Sequence, residues 1–289
     1  MALLATTPPR AASSLRQWII RHPIVAMVTL LYLLAWPKLI ADALDSYGWT
    51  QLQLSPWFDL LTGWAPAIAA FTITALVSGA PAVRELRLKI FHWRVGLRWY
   101  ALALLGSGVF LLNGAGGYEL LTGHWDALPI AQMPIRKVAA MGGLMFLLYA
   151  VVNTEEIAWR GFALPRLQSQ YGALGGSVIL WVPWTLLHLP YFFIKESMLQ
   201  QMGFVPFAAG TLTMSILFAW LFNNTGGSVL LCTLMHAALN VWAPLLTPDH
   251  SLLPSYVGYG INGALALFLM LWFGAAHLAR QPNPSAFRY

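Results

Sequence analysis

Charge is what this sequence has least of. Only 9% of its 289 residues are Asp, Glu, Lys or Arg, where soluble domains carry about a quarter, and that excludes an ordinary water-soluble globule. A single cysteine, Cys232, excludes an internal disulfide and sits in an apolar run as a small core residue. There is no His-Glu-x-x-His pair, so the zinc-protease helix of that type is absent. Basic, aromatic-studded soluble segments are also missing, which speaks against a nucleic-acid partner. No internal repeat and no compositional break marks off a second soluble domain.

What remains is apolar. Hydrophobic residues make up 58% of the chain, 14 Trp are among them, and the mean hydropathy is +0.65. The expected fold is all-α, a polytopic membrane helix bundle in the lipid bilayer. About eight segments approach the roughly 20 residues needed to cross: 24–44, 60–83, 99–118, 138–159, 174–194, 202–222, 227–246 and 252–276. The first contains Ala41-Asp42-Ala43, an A-x-A pattern of the kind a signal peptidase reads, but the spans that follow favour an uncleaved transmembrane helix. The stretch 84–98 interleaves Arg84, Arg87, Lys89, Arg94 and Arg98 with apolar residues, as an interfacial amphipathic helix would; a plain basic loop reads equally well. As one membrane domain the chain divides into N-terminal helices (1–137), a core (138–246) and a last helix with its tail (247–289).

Basic residues give the expected orientation. Arg10, Arg16 and Arg21, the five of 84–98, Arg160 and Arg166, and Arg280 and Arg288 all fall on one side of an eight-span topology. Lys38, Arg136, Lys137 and Lys195 fall on the other, with Asp45, Asp59, Glu119, Asp126 and Asp249. The positive-inside rule then gives N-in, C-in in a cell membrane.

Few strongly polar groups lie within the spans, and an intramembrane ionisable residue is a functional candidate by default. Glu155 and Glu156 are adjacent, so on a helix they point about 100° apart. Glu156 pairs with Arg160 at i,i+4, leaving Glu155 to face something else. His188 stands on the fifth span, and His236 with Asn240, one turn apart, on the seventh. Asn113 and Asn262 each stand alone. At 1.5 Å per residue, Glu155 falls about 25 Å from the outer start of its span, towards the cytoplasmic half. His188 falls about 20 Å and His236 about 15 Å from the start of theirs, levels that coincide only with tilt or displaced ends.

Three motifs carry a resemblance. Glu155-Glu156-Ile157-Ala158-Trp159-Arg160 fits E-E-x-x-x-R and is followed by Gly161; Trp184-Thr185-Leu186-Leu187-His188 fits F-x-x-x-H with Trp for Phe; His236-Ala237-Ala238-Leu239-Asn240 fits H-x-x-x-N. In this order, over about 138–246, they resemble the CPBP family of intramembrane proteases, which includes CAAX prenyl endopeptidases and bacteriocin-immunity relatives. The resemblance implies peptide-bond hydrolysis in a membrane-associated or C-terminally lipidated protein or peptide. It casts Glu155 as general base with His188, His236 and Asn240 as oxyanion donors, Glu156 and Arg160 as support, and Trp159 and Trp184 as substrate-pocket aromatics. Glu155, His188 and His236 are also the composition of a three-ligand zinc site with an open position; metal-free water activation by Glu155 is the preferred reading, with Zn²⁺ the alternative. The competing functions are a non-catalytic scaffold or immunity protein on the same fold and, without half-repeats to support it, a transporter.

Overall fold

A computed structural model describes residues 14–52, 54–123, 128–246 and 253–280. Arg10, Arg288, Asp126 and Asp249, which entered the charge count, lie outside the described residues, as does the tail 281–289. The described residues form helices and contain no strand: α1 Ser14–Arg21, α2 Pro23–Ser46, α3 Trp57–Ile90, α4 Leu97–Ala101, α5 Ser107–Thr122, α6 Ile135–Val152, α7 Leu164–Leu187, α8 Met198–Met202, α9 Phe204–Asn224, α10 Val229–Leu246 and α11 Leu253–Phe273. The π-helical turn Leu102–Gly106 joins α4 to α5, and the π-helical stretch Ile157–Ala163 leads into α7. Ala41-Asp42-Ala43 lies inside the unbroken α2. Gly79 (φ 73°) breaks α3, and the helix that restarts after it carries Arg84, Arg87 and Lys89 and ends at Ile90; the chain is non-helical from His92 to Gly96.

Among the described residues seven helical segments are long and apolar enough to cross a membrane, so the protein is a polytopic helical bundle. The expected fifth span, 174–194, is the one that falls short, for a local reason. Gly172 (φ 71°) breaks α7, and the helix that restarts there holds Gly175, Gly176, Ser177, Pro183 and Thr185 before it stops at Leu187. It is about 22 Å long at 1.5 Å per residue. The restart leaves N–H groups without helical acceptors. Ala173 N and Leu174 N donate instead to the carbonyls of Ala276 (2.8 Å) and Ala275 (3.0 Å), so the segment after α11 caps the break.

Small residues decide how closely the helices approach. Where α5 meets α11, a Cβ on Gly258 would lie 2.8 Å from the Gly114 Cα, so only glycine permits this contact. Beside it Asn113 and Asn262 meet: Asn113 Nδ2 donates to Asn262 Oδ1 (3.2 Å), and Asn262 Nδ2 donates to the Phe110 carbonyl (2.9 Å). The two isolated amides of the sequence are therefore one interhelical pair, with no part in the site.

Candidate active site

α3 holds the chain where it enters the site. The Gly63 carbonyl and the Ala67 N–H of α3 both bond to Thr154. The Thr154 hydroxyl is inserted between them: Thr154 Oγ1 donates to Gly63 O (2.8 Å) and accepts from Ala67 N (3.1 Å). Gly63 is required, since a Cβ there would lie 2.6 Å from Val152 Cγ1 and 2.8 Å from Val152 O. α6 ends at this splice, Asn153 turns extended (ψ 100°), and its Oδ1 accepts from Glu155 N (3.1 Å). That local bond is the Asx-type turn Asn favours. Helix then resumes through the π-helical 157–163, a geometry frequent at functional sites, and continues to the Gly172 break. About 16 residues, some 24 Å of helix, therefore follow Glu155. The depth estimate for Glu155 took the span to stop at Trp159, whereas the helix runs on beyond it.

The two carboxylates have separate duties. Glu155 Oε2 accepts from two indoles, Trp159 Nε1 (3.1 Å) and Trp184 Nε1 (2.8 Å), while Oε1 lies 3.9 Å from His188 Nε2. Glu156 is fully buried and lies 3.0 Å from Arg160 Nη1; its Oε1 accepts from His236 Nδ1 at 2.8 Å. Arg160 is also fully buried, its Cζ 4.2 Å from the Trp184 ring centroid and 4.4 Å from that of Phe218. Its Nε and Nη2 have no hydrogen-bond acceptor, so the guanidinium is held between aromatic faces. A buried charge on one carboxylate is thus answered on the spot, and the pair is expected to be strongly destabilised by loss of either partner.

His188 follows the last turn of α7, and α2 holds that turn. Tyr32 Oη donates to the Pro183 carbonyl (2.5 Å) and Trp36 Nε1 to the Leu187 carbonyl (3.1 Å), giving acceptors at the helix end their donors. His188 Nδ1 donates to Trp184 O (3.0 Å), which leaves Nε2 facing Glu155. Glu155 and His188, whose levels sequence spacing could not align, meet here, with α6 ending at Val152 and the second part of α7 starting after Gly172.

A cavity of about 540 Å³ joins these groups; Glu155, His188, His236 and Asn240 line it together with Tyr149 and Tyr191. Its far wall carries Lys38, whose Nζ contacts both Asp42 oxygens (2.6 and 2.7 Å) and Asp59 Oδ1 (3.0 Å). Trp159 and Trp184 are not on its wall. Both are buried, and their indole N–H groups donate to Glu155. Thr154, Gly63 and Asn153 were not singled out from sequence; the signal was Asn-Thr immediately before the acid pair and Gly63 three residues before Pro66.

Among the described residues no three His, Cys, Asp or Glu side chains are grouped to hold a metal ion. His236 turns Nδ1 to Glu156 and His188 turns Nδ1 to the Trp184 carbonyl, bonds that also orient metal-binding imidazoles, while one Glu155 oxygen is taken by two indoles and the other lies 3.9 Å from His188 Nε2.

Residues 137–242 match the family described as Type II CAAX prenyl endopeptidase Rce1-like. The chain is also 28% identical over 172 residues to a CAAX prenyl protease 2 of Methanococcus maripaludis, covering 56% of this chain and 57% of that protein. The chain thus spans less than two thirds of the length of that relative. Over the region that holds the three motifs, the chain is thus similar to CAAX prenyl endopeptidases.

Proposed function

We propose that the protein is an intramembrane endopeptidase in which Glu155 is the general base. A water molecule in the cavity fits between Glu155 Oε1 and His188 Nε2, whose 3.9 Å separation suits a bridge rather than a direct bond. Glu155 takes one proton from that water, His188 Nε2 accepts the other hydrogen bond, and the hydroxide attacks the scissile carbonyl. Glu155 then returns the proton to the departing amine. Asn240 and His236 face the developing oxyanion from α10. Because His236 Nδ1–H is committed to Glu156, Nε2 donates only from a doubly protonated ring, and the Glu156 carboxylate at 2.8 Å is its counter-charge. Glu156 and Arg160 therefore set the charge of the oxyanion donor as well as the helix geometry.

The observation that carries this reading is the meeting of Glu155 and His188 with His236 and Asn240 at one polar cavity inside an apolar bundle. The substrate we assign is a membrane-associated peptide or protein, with C-terminally lipidated peptides included because the archaeal relative bears the name of a prenyl protease. The chemistry is assigned to 138–246 and the surrounding helices to completing the cavity in a cell membrane. The test is incubation of purified wild type and Glu155→Gln with a peptide panel, lipidated and plain, followed by mass spectrometry. Cleavage by wild type alone supports the reading; identical products from both overturn it.

A further inference from the structure

Among the described residues four hydroxyl groups line the cavity, those of Thr62, Tyr149, Tyr191 and Ser197. Two are used within the protein. Thr62 Oγ1 donates to the Phe58 carbonyl (2.9 Å), and Ser197 Oγ donates to the Tyr191 carbonyl (2.8 Å) and accepts from Gln200 N (3.1 Å). The phenol hydroxyls of Tyr149 and Tyr191 have no hydrogen-bond partner among the described residues. A tyrosine hydroxyl taken out of bulk water usually finds one, and Phe would fill the same space without the need. The neighbouring residue does so: Phe192 packs edge-on against Phe204 (5.5 Å between ring centroids) and Phe207 (5.4 Å).

Of the two tyrosines, Tyr191 is the one held in place. Tyr149 is on α6, which buries no residue, and is 37% exposed. Tyr191 lies in the 3₁₀ turn Leu189–Phe193 that follows His188. Its N–H donates to the His188 carbonyl (3.0 Å), and its own carbonyl accepts from Ile194 N (3.2 Å) as well as from Ser197 Oγ. Its ring centroid is 6.1 Å from that of His188, at a tilt of 34°. The backbone is thus fixed on both sides while the hydroxyl is bonded to nothing. A donor preorganised in this way loses little freedom when a ligand arrives.

We infer that the Tyr191 hydroxyl is a substrate-binding donor of this cavity, bonding a backbone carbonyl of the peptide beside the scissile bond. The inference rests on the peptidase reading, in which Glu155 and His188 hold the attacking water. An extended peptide advances about 3.3–3.6 Å per residue, so the 6.1 Å between the His188 and Tyr191 rings corresponds to about two residues. The hydroxyl is therefore set to meet a carbonyl one or two residues from the bond being cut, and so to fix which bond lies over Glu155. That carbonyl does not change charge during the reaction. Its hydrogen bond is as strong in the ground state as in the transition state, and losing it raises KM while leaving kcat little changed. Tyr191 differs in this from His236 and Asn240, whose partner is the oxyanion.

The test compares wild type with Tyr191→Phe on the panel peptide that wild type cleaves fastest. It includes analogues of that peptide in which single peptide units flanking the cut are replaced by trans-alkene isosteres, which keep the extended shape and remove the carbonyl. Tm is recorded for both proteins. From the usual net worth of a neutral hydrogen bond, KM is expected to be about 3- to 10-fold higher for Tyr191→Phe, with kcat little changed and Tm not lowered. On one analogue the two proteins are expected to share the same KM, which identifies the accepting carbonyl. An unchanged KM for Tyr191→Phe on the parent peptide, or a difference that persists on every analogue, overturns the proposal while the peptidase reading stands. A lowered Tm with unaltered kinetics per folded molecule overturns it too, by assigning the hydroxyl to folding. If wild type cleaves no peptide of the panel, the peptidase reading itself falls and takes this assignment with it.

Discussion

At the scale of single residues, the account turns on what each polar atom is bonded to. Trp184 occupies the place where the family motif has Phe, and its Nε1–H reaches Glu155 at 2.8 Å, a bond Phe cannot make. Trp184→Phe keeps an aromatic face for Arg160 and removes one donor from the carboxylate. Loss of a hydrogen bond to a charged group is worth about 1.5–3 kcal/mol, so cleavage is expected to slow by about tenfold or more, measured as initial rate on any peptide the wild type cleaves. Glu156→Gln removes the counter-charge beneath His236, and a lost oxyanion donor lowers the rate by about 10²–10³-fold; the expected signature is a fall in kcat with KM little changed. Sequence spacing made the Glu156–Arg160 pair legible, since i,i+4 places them together. The bond from Glu156 to His236 was not legible, because it joins residues 80 apart on separate helices.

At the scale of helices, breaks place the candidate catalytic groups more than the regular spans do. Three interruptions, at Asn153-Thr154, at Gly172 and after Leu187, bring Glu155 and His188 level with His236. Hydropathy finds spans by averaging over some twenty residues, so it blurs interruptions of one or two, which is why the depth estimate missed their convergence. Pro66, Gly63 and Gly172 were visible as residues, but what they receive comes from elsewhere in the chain. Thr154→Val preserves shape and removes the hydroxyl spliced into α3, leaving the Ala67 N–H without its acceptor. An unsatisfied buried donor costs about 1–3 kcal/mol, so a lower Tm in detergent is expected, together with reduced cleavage because Glu155 follows directly. Gly258→Ala sets a Cβ against the α5 backbone and is expected to lower Tm by overpacking worth about 1–3 kcal/mol. The Asn113–Asn262 pair nearby lies outside the cavity, so cleavage per folded molecule is expected to be unaffected.

At the scale of the whole molecule, composition alone pointed to a membrane bundle, and the ordered motifs fall in the region that the family model matches. The contribution of the first two long helices was not legible: α2 supplies Tyr32 and Trp36 to the turn before His188, and α3 supplies the splice for Thr154. Neither segment contains a motif, because what they offer is a carbonyl, a gap or a single indole at the correct height. The donor arrangement also bears on metal dependence. If Glu155 activates the water without metal, cleavage is expected to continue at an unchanged rate after dialysis against a strong chelator. Loss of activity that added Zn²⁺ restores would overturn the metal-free reading.

The central claim is that one intramembrane carboxylate, Glu155, activates the water. It is tested most directly by single-turnover cleavage of a peptide substrate by purified wild type and Glu155→Gln, with Tm recorded for both. The expected result is a rate lower by about 10²–10⁴-fold, the usual span for a general base, at a Tm close to wild type. A Glu155→Gln protein that stays folded and cleaves at the wild-type rate would contradict the account.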